Sequence, residues 1–348
     1  MNAKAVAVAG LAAILLAPGA GVADITIDTV PVGNTGNTGE WSGESYFDGD
    51  CGPDRICGAV DYDFNIGTYE VTAGQYRAFL NAVAGVDTYD LYNAYMSSTD
   101  YGSGIMRSGG GTVGNPYTYS VAPDFTNRPV NYVSWGDAAR FANWLHNGQP
   151  TGTLTGDPAQ DAGLTEDGAY DLDGATSDSA LLAISREADW KWAITSEDEW
   201  YKAAYYNPAT SSYYDYPTTT NTAPGQDMAD VSGNNANHYT APYTYPIDSG
   251  KCTTVAGEFQ NSDSPYGTFD QGGNVWEWNE AVIGFDRGLR GGSFSDNDYV
   301  LHAAFRGSLI PTDRVFFIGF RVSEVPEPCS AALLLIGAIG LVKRRRTA

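Results

Sequence analysis

Residues 269–279 of this 348-residue chain read FDQGGNVWEWN and place acidic side chains around a pair of glycines. Calcium binds six to eight oxygen atoms, which carboxylates and backbone carbonyls supply. The two glycines allow the backbone to curl so that its carbonyl groups face inward. The stretch therefore suits a calcium-binding loop that its two tryptophans anchor in the core. The alternative is that Glu277 only forms an ion pair, for example with Arg290 or Arg321.

Helix-start signals in three segments indicate the elements that must position this loop. Each segment has a hydroxyl residue three positions before an acid or amide, which is the capping-box pattern, and then an amphipathic run. The three boxes are Thr72 to Gln75, Ser134 to Asp137 and Ser196 to Glu199. Short strands are predicted at 64–69, 130–133, 191–194 and 318–322. Residues 86–127 and 147–185 are predicted as long loops, so the fold class is α+β, loop-rich, with little regular secondary structure.

Six segments occur in the order that is typical of the sulfatase-modifying-factor family, to which the formylglycine-generating enzymes belong. They read GTYEVTAGQYRAFLNAV, RPVNYVSWGDAARFANWL, SEDEWYKAAYY, YGTFDQGGNVWEW, RGGSF and GFRV. The chain resembles this family over roughly residues 60–323. The resemblance implies a formylglycine-generating-enzyme-like domain that is related to C-type lectin-like folds. An edge strand and lead-in over residues 24–59 are expected before it.

In the resembled family, a calcium ion sits in the loop that contains the Trp-Glu-Trp motif. The resemblance implies that its ligands here are the side chains of Asp270 and Glu277 and the carbonyls of Gly273 and Val275. A second calcium site of the family corresponds here to Asn237, His238 and Asp248. Calcium is therefore the cofactor that the resemblance implies.

Formylglycine-generating enzymes oxidise a sulfatase cysteine with molecular oxygen and hold a copper ion with two cysteines of their own. Soft thiolates are the ligands that select Cu(I). Counted from the segment GGS at 291–293, the first of these cysteines corresponds to Asp296 and the second falls near Asn297. No cysteine lies between Cys252 and Cys329. The resemblance thus implies a family member without the copper-binding pair, and copper is not expected.

Two functions follow from this departure. The first is an exported, calcium-stabilised binding or structural module without catalytic activity, whose ligand is an envelope protein or a glycan. The alternative is a divergent formylglycine-generating-type oxidase that acts on a protein or small molecule. The polar groups closest to its site would be Asp296, Asn297, Asp298 and His302. The chain has only three histidines, and they are isolated, so neither a zinc site nor the iron domain of a second enzymatic branch is expected.

The chain is strongly acidic. It has 42 acidic residues against 19 lysines and arginines, which gives a formal charge of −23. Such a charge repels phosphate backbones, so no nucleic-acid partner is expected. Divalent cations are more plausible partners, but acidity alone favours the simpler interpretation of a solvated acidic surface.

Both chain ends are typical of targeting signals. Residues 1–23 combine one lysine, an apolar run and a small-residue ending, which indicates a secretory signal peptide. Residues 324–348 contain Val-Pro-Glu-Pro, the apolar run Ala331–Val342 and the basic cluster Lys343–Arg346. The apolar run would form a helix of roughly 18 Å, shorter than the hydrocarbon core of about 30 Å. The order resembles a PEP-CTERM sorting signal, which implies transient transmembrane anchoring in the inner membrane, an exosortase partner and an envelope or extracellular location.

The four cysteines suggest one disulfide. Cys51 and Cys57 bracket the segment GPDRI, whose Gly-Pro turn would allow them to close a small loop. Cys252 then has no assigned partner, and Cys329 belongs to the sorting tail.

We expect the mature protein to lack the residues after about Pro328, because the tail has the features of a removable anchor. Mass spectrometry of the cell-surface or secreted form should detect no peptide from residues 333–342. Recovery of such peptides from that form would contradict the sorting prediction.

Overall fold

The computed structural model describes residues 24–42, 56–240, 247–248 and 250–326. Within these residues the α-helices are α1 (Ala73–Val83), α2 (Trp135–His146), α3 (Pro158–Asp161), α4 (Asp178–Ala183) and α5 (Glu197–Tyr205). The strands are β1 (Thr29–Val32), β2 (Glu40–Trp41), β3 (Ile56–Cys57), β4 (Phe64–Gly67), β5 (Ile105–Ser108), β6 (Thr118–Val121), β7 (Trp192–Ile194), β8 (Tyr206–Asn207), β9 (Ser212–Tyr213), β10 (Trp276–Ile283), β11 (Asp286–Arg290), β12 (Gly307–Leu309), β13 (Ile318–Phe320) and β14 (Val322–Glu324).

Two four-stranded sheets form the framework of the described residues. The first has the order β1-β4-β14-β7, with antiparallel neighbours throughout. The second has the order β12-β11-β10-β13, in which only β10 and β13 run parallel. Three two-stranded ribbons, β2-β3, β5-β6 and β8-β9, lie outside these sheets. Short strands and long connections bear out the expected α+β, loop-rich fold.

All three predicted capping boxes are confirmed. At the start of α1, α2 and α5, the N-cap hydroxyl accepts from the third helical residue, whose own side chain accepts from the N-cap backbone. The helices then bury apolar faces against the sheets. Phe79 of α1 packs against Phe141 and Trp144 of α2 with ring centroids 5.4 Å apart in both pairs, and Phe141 meets Phe320 of β13 at the same distance. These contacts fix α1 and α2 beside the end of β13.

One predicted strand is absent, and another is divided into two strands. Residues 130–133 do not form a strand, because Tyr132 adopts a left-handed conformation with φ of 58°. The backbone N–H of Tyr132 instead bonds to Val315 O at 3.1 Å. Residues 318–322 do not form one strand either, because the chain leaves the ladder at Arg321. That residue separates β13 in the second sheet from β14 in the first.

The expected loops contain more regular structure than their composition indicates. The Trp-Glu-Trp motif does not lie in a loop, since it opens β10. The β5-β6 hairpin lies within 86–127, and α3, α4 and a π-helical turn (Ala162–Glu166) lie within 147–185. Short-range caps explain the helices, since Asp157 and Ser177 accept from backbone N–H groups at their starts.

The terminal segments with targeting signals, residues 1–23 and Ala331–Val342, lie outside the described residues. No helix in the part of the chain that the structure describes is long and apolar enough to cross a membrane.

Candidate functional site

Glu277 of β10 forms a buried ion pair with Arg321 next to the predicted calcium loop. Arg321 Nε and Nη2 donate to Glu277 Oε2 and Oε1, both at 2.6 Å, and both side chains are 0% exposed. Trp200 Nε1 of α5 also donates to Glu277 Oε2, at 2.7 Å. Arg290 lies opposite Glu277 in the sheet, but its guanidinium turns to Glu197 at 2.8 Å. Of the arginines that the sequence left open as partners, Arg321 is therefore the one observed.

Arg321 also ties the loop to the first sheet. Its Nη1 donates to Gly67 O at the end of β4, and its Nη2 donates to Phe269 O at the start of the loop, both at 2.9 Å. The guanidinium thus joins three separate parts of the chain. A buried charge that lost its partner here would cost about 3–5 kcal/mol, so the pair is tightly constrained.

Two further carboxylates lie near the same arginine. Glu70 Oε1 accepts from Asn274 Nδ2 at 3.1 Å, whereas Glu70 Oε2 is buried without a hydrogen-bond partner among the described residues. Burial, and then the nearby charge of Asp270, raises the pKa of Glu70 well above its usual value. Burial also raises the pKa of Asp270 to about 6. Three acids lie near one arginine, so ionisation of all three would leave an excess of negative charge that a bound cation would balance.

This excess charge is the feature that fits a bound cation. Among the described residues, Asp270 Oδ2 accepts only from Gly257 N, at 2.6 Å, and Glu70 Oε2 has no hydrogen-bond partner. Glu277 fits less well, because both of its oxygens already accept from Arg321. No group of three or more His, Cys, Asp or Glu side chains in the described ranges is placed to hold a metal ion. A calcium ion at this loop would therefore depend on backbone carbonyls, as calcium commonly does.

Asn274 connects this loop to the residues predicted for the second site. Its Oδ1 accepts from Thr254 N at 3.0 Å and from Asn237 Nδ2 at 3.2 Å. The close approach requires glycine at 273, because a Cβ there would lie 2.2 Å from Asn237 O, and its φ is 83°. The two predicted sites thus touch each other through the Asn237 and Asn274 side chains.

The remaining residues of the second predicted site are engaged elsewhere. Asp248 forms a salt bridge with Arg128. The His238 carbonyl accepts from Gln226 Nε2, and its buried ring contacts two backbone carbonyl oxygens at 3.1 Å. Only Asn237 keeps a buried side-chain oxygen without a hydrogen bond from any described residue.

Asp296, the residue predicted to stand where the resembled enzymes have their first copper-binding cysteine, contacts Trp276 at the start of the motif. Its Oδ2 accepts from Trp276 Nε1 at 2.9 Å, from Ser293 N at 3.0 Å and from Ser293 Oγ at 2.6 Å. Its carbonyl accepts from Tyr239 N at 2.6 Å. The side chain is half-buried, and burial raises the pKa of Asp296 above its usual value. Asn297 follows it as the N-cap of a short 3-10 helix, Asp298–Leu301.

Aromatic rings extend from Asp296 toward solvent. The ring centroid of Phe305 lies 6.0 Å from that of Trp276 and 5.9 Å from that of Tyr299, which is 59% exposed. His302 instead packs against Tyr216, with ring centroids 5.3 Å apart. Its Nε2 lies 3.7 Å from Asp215 Oδ1. The His302 imidazole therefore faces Asp215.

The cysteines do not form a metal-binding pair within the described residues. Cys252 is free and buried, and burial raises the pKa of its thiol to about 11. Cys57 is in a disulfide. Cys51 lies outside the described residues, so its pairing with Cys57 stays a prediction.

Comparison with known proteins identifies the family of this site. The family model described as a sulfatase-modifying factor enzyme 1-like domain matches residues 33–325. The crystal structure of CarF is 21% identical with a TM-score of 0.51, and the match covers 87% of this chain and 99% of CarF. At that identity, the likeness shows a shared fold alone.

Two other solved structures match most of the chain. Treponema denticola variable protein 1 is 16% identical with a TM-score of 0.49, and the match covers 88% of this chain and 97% of that one. PvdO from Pseudomonas aeruginosa is 19% identical with a TM-score of 0.46, and the match covers 85% of this chain and 94% of that one. No curated protein matches the chain significantly.

We expect Glu277→Gln and Arg321→Met each to lower the free energy of unfolding by about 3–5 kcal/mol. The first variant leaves the buried charge of Arg321 without its counter-ion, and the second does the same to Glu277. Urea unfolding followed by tryptophan fluorescence measures the effect. The double variant should cost less than the sum of the two. As a control, Lys251→Met breaks a long 3.7 Å pair with Asp124, whose side chain is 75% exposed, and should cost less than about 1 kcal/mol. Equal costs for Glu277→Gln and Lys251→Met would contradict the assigned role of the buried pair.

Proposed function

The chain belongs to the family of sulfatase-modifying factor enzyme 1-like domains, and we propose that it is a non-catalytic, calcium-stabilised binding module of that family. The observation that carries this proposal is the hydrogen bonding of the Asp296 carboxylate. Where the resembled enzymes have a copper thiolate, this chain has a carboxylate that accepts hydrogen bonds from Trp276 and Ser293. Carboxylate oxygen is a hard ligand and a poor one for Cu(I).

Cys252 offers no substitute for the missing pair. It is the free cysteine of the described residues, it is buried, and burial raises the pKa of its thiol to about 11. Such a thiol is protonated at neutral pH, whereas the thiolate is the form that binds metals and acts as a nucleophile. A binding role therefore accounts for the site better than oxidation of a cysteine substrate.

Calcium is the second part of the proposal. We assign it to the loop through Asp270 and the carbonyls of Gly273 and Val275. The support is the excess of carboxylates around Arg321 and the unpartnered oxygen of Glu70. Glu277 then acts indirectly, because it fixes Arg321, and Arg321 donates to the Phe269 carbonyl at the start of the loop. A divalent ion would stabilise the ionised form of Asp270 against the cost of burial.

Export and sorting form the third part. The signal-peptide features of residues 1–23 and the PEP-CTERM-like order of residues 324–348 support delivery to the envelope or the exterior, with an exosortase as the processing partner. The proposed ligand class is an envelope protein or a glycan. The proposed relation to C-type lectin-like folds rests on the sequence resemblance.

We expect no formylglycine formation when the purified protein receives Cu(I), oxygen and a sulfatase-type cysteine peptide, because no thiolate pair is available to hold the copper. Mass spectrometry of the peptide measures the result, with a competent formylglycine-generating enzyme as the positive control. A thiol-to-aldehyde mass change that is absent from a heat-killed sample would overturn the non-catalytic assignment and favour the oxidase.

We expect a chelator to lower the melting temperature and added calcium to restore it, because an ion that binds only the folded state stabilises it by about 2.7 kcal/mol at a hundred times its dissociation constant. Asp270→Asn should abolish this response. Asp248→Asn, in the salt bridge with Arg128, should retain it. Melting that is indifferent to chelator and calcium would refute the calcium assignment, and loss of the response only in Asp248→Asn would move the ion to the second predicted site.

A further inference from the structure

The two oxygens of the Asp296 carboxylate have different surroundings. Three donors from Trp276 and Ser293 meet Oδ2, whereas Oδ1 accepts no hydrogen bond from any residue that the structure describes. No charged neighbour contributes to the pKa of Asp296, which burial alone raises. The carboxylate is thus fixed in direction, half-buried and without a cationic partner in the described part of the chain.

The groups next to Asp296 suit a cation and not an anion. Tyr299 is 59% exposed, and its ring lies 5.9 Å from that of Phe305, which in turn packs against Trp276. Aromatic faces attract Lys and Arg side chains within about 6 Å. Asp298 and Asp215 act on Tyr216, so the neighbouring surface around Tyr216 and His302 is also acidic. The chain as a whole carries a formal charge of −23.

We propose that Asp296, with the rings of Tyr299 and Phe305, binds a lysine or arginine side chain of a partner protein. The inference rests on the proposed function, because it gives a binding role to the carboxylate that replaces the catalytic thiol. The cation would pair with Oδ1 while Trp276 and Ser293 hold Oδ2 in place. A divalent metal ion is a poorer occupant, because the neighbours of Asp296 that face it are N–H and O–H donors and not the six to eight oxygens that calcium needs.

The indole N–H of Trp276 reports on this site directly, because it donates to Asp296 Oδ2. We would record its resonance in the 15N-labelled protein at about 150 mM salt, which screens nonspecific attraction to the acidic surface. Trp276→Phe assigns the signal. The probes are end-capped pentapeptides of alanine with a central Arg, Lys, Glu or Ala. We expect the Arg and Lys peptides to shift the resonance in a saturable way and the Glu and Ala peptides to leave it unchanged.

Variants separate this site from general charge attraction. Asp296→Asn keeps the shape and an acceptor for Trp276 but removes the charge, and it should abolish the response. Tyr299→Ala should weaken binding about fivefold, which corresponds to an exposed cation–aromatic contact, while Tyr299→Phe should retain it. Phe285→Ala serves as the matched control. It removes an aromatic ring that is 83% exposed in the turn between β10 and β11, beyond the end of β10 that is farther from Trp276, and affinity should not change.

The outcomes are distinct. Equal binding by Asp296→Asn, or no saturable shift with the Arg and Lys peptides, would overturn the proposal. So would a shift that calcium alone or a neutral oligosaccharide reproduces in competition with the peptides. The probes contain no cysteine, so oxidation of a cysteine peptide would refute the non-catalytic function without affecting this result. Conversely, a protein that forms no formylglycine and does not bind the Arg and Lys peptides would be consistent with the proposed non-catalytic function. It would refute only the proposed ligand of Asp296.

Discussion

The buried pair of Glu277 and Arg321 is the interaction on which the site and both sheets depend. Each charge is fully removed from water, and burial on this scale is tolerated only when geometry and additional hydrogen bonds compensate for desolvation. Here the compensation comes from Arg321 Nε and Nη2, which bond to the carboxylate, from the Trp200 indole, and from the carbonyls of Gly67 and Phe269. Because the partners lie on α5, β4, β10 and the loop before it, the pair forms only when these elements are all in place.

The residues of the Trp-Glu-Trp motif make contacts both in the core and near the surface. Toward the core, Glu277 meets Arg321, and the Trp278 indole donates to Val133 O at 2.9 Å. Toward the surface, the Trp276 indole holds the Asp296 carboxylate. The strand β10 therefore connects a rigid interior to the carboxylate at the proposed binding face. Side chains at that face are positioned by packing, so the face can change its chemistry without a change in the framework.

Features that depend on residues close together in the sequence were predicted well. Contacts between residues far apart in the sequence were predicted poorly. The capping boxes that begin at Thr72 and Ser134 were predictable because cap and helix lie within four residues of each other. The partner of Glu277 was not, since Arg290 lies opposite in the sheet and Arg321 follows the neighbouring strand. Nor did any pattern predict the left-handed Tyr132. Glu70 was missed, although a lone acid between apolar neighbours in TYEVT is a signal that it is buried.

The switch between β13 and β14 has a mechanical consequence. A single residue separates a strand of the second sheet from a strand of the first, and that residue is the buried arginine. No flexible linker lies between the two sheets at this point, so tension or fraying in one is transmitted to the other through the backbone. Sub-global opening of one sheet alone is then disfavoured, although loop-rich proteins often open locally. We therefore expect the framework that carries the many irregular loops to unfold as one cooperative unit.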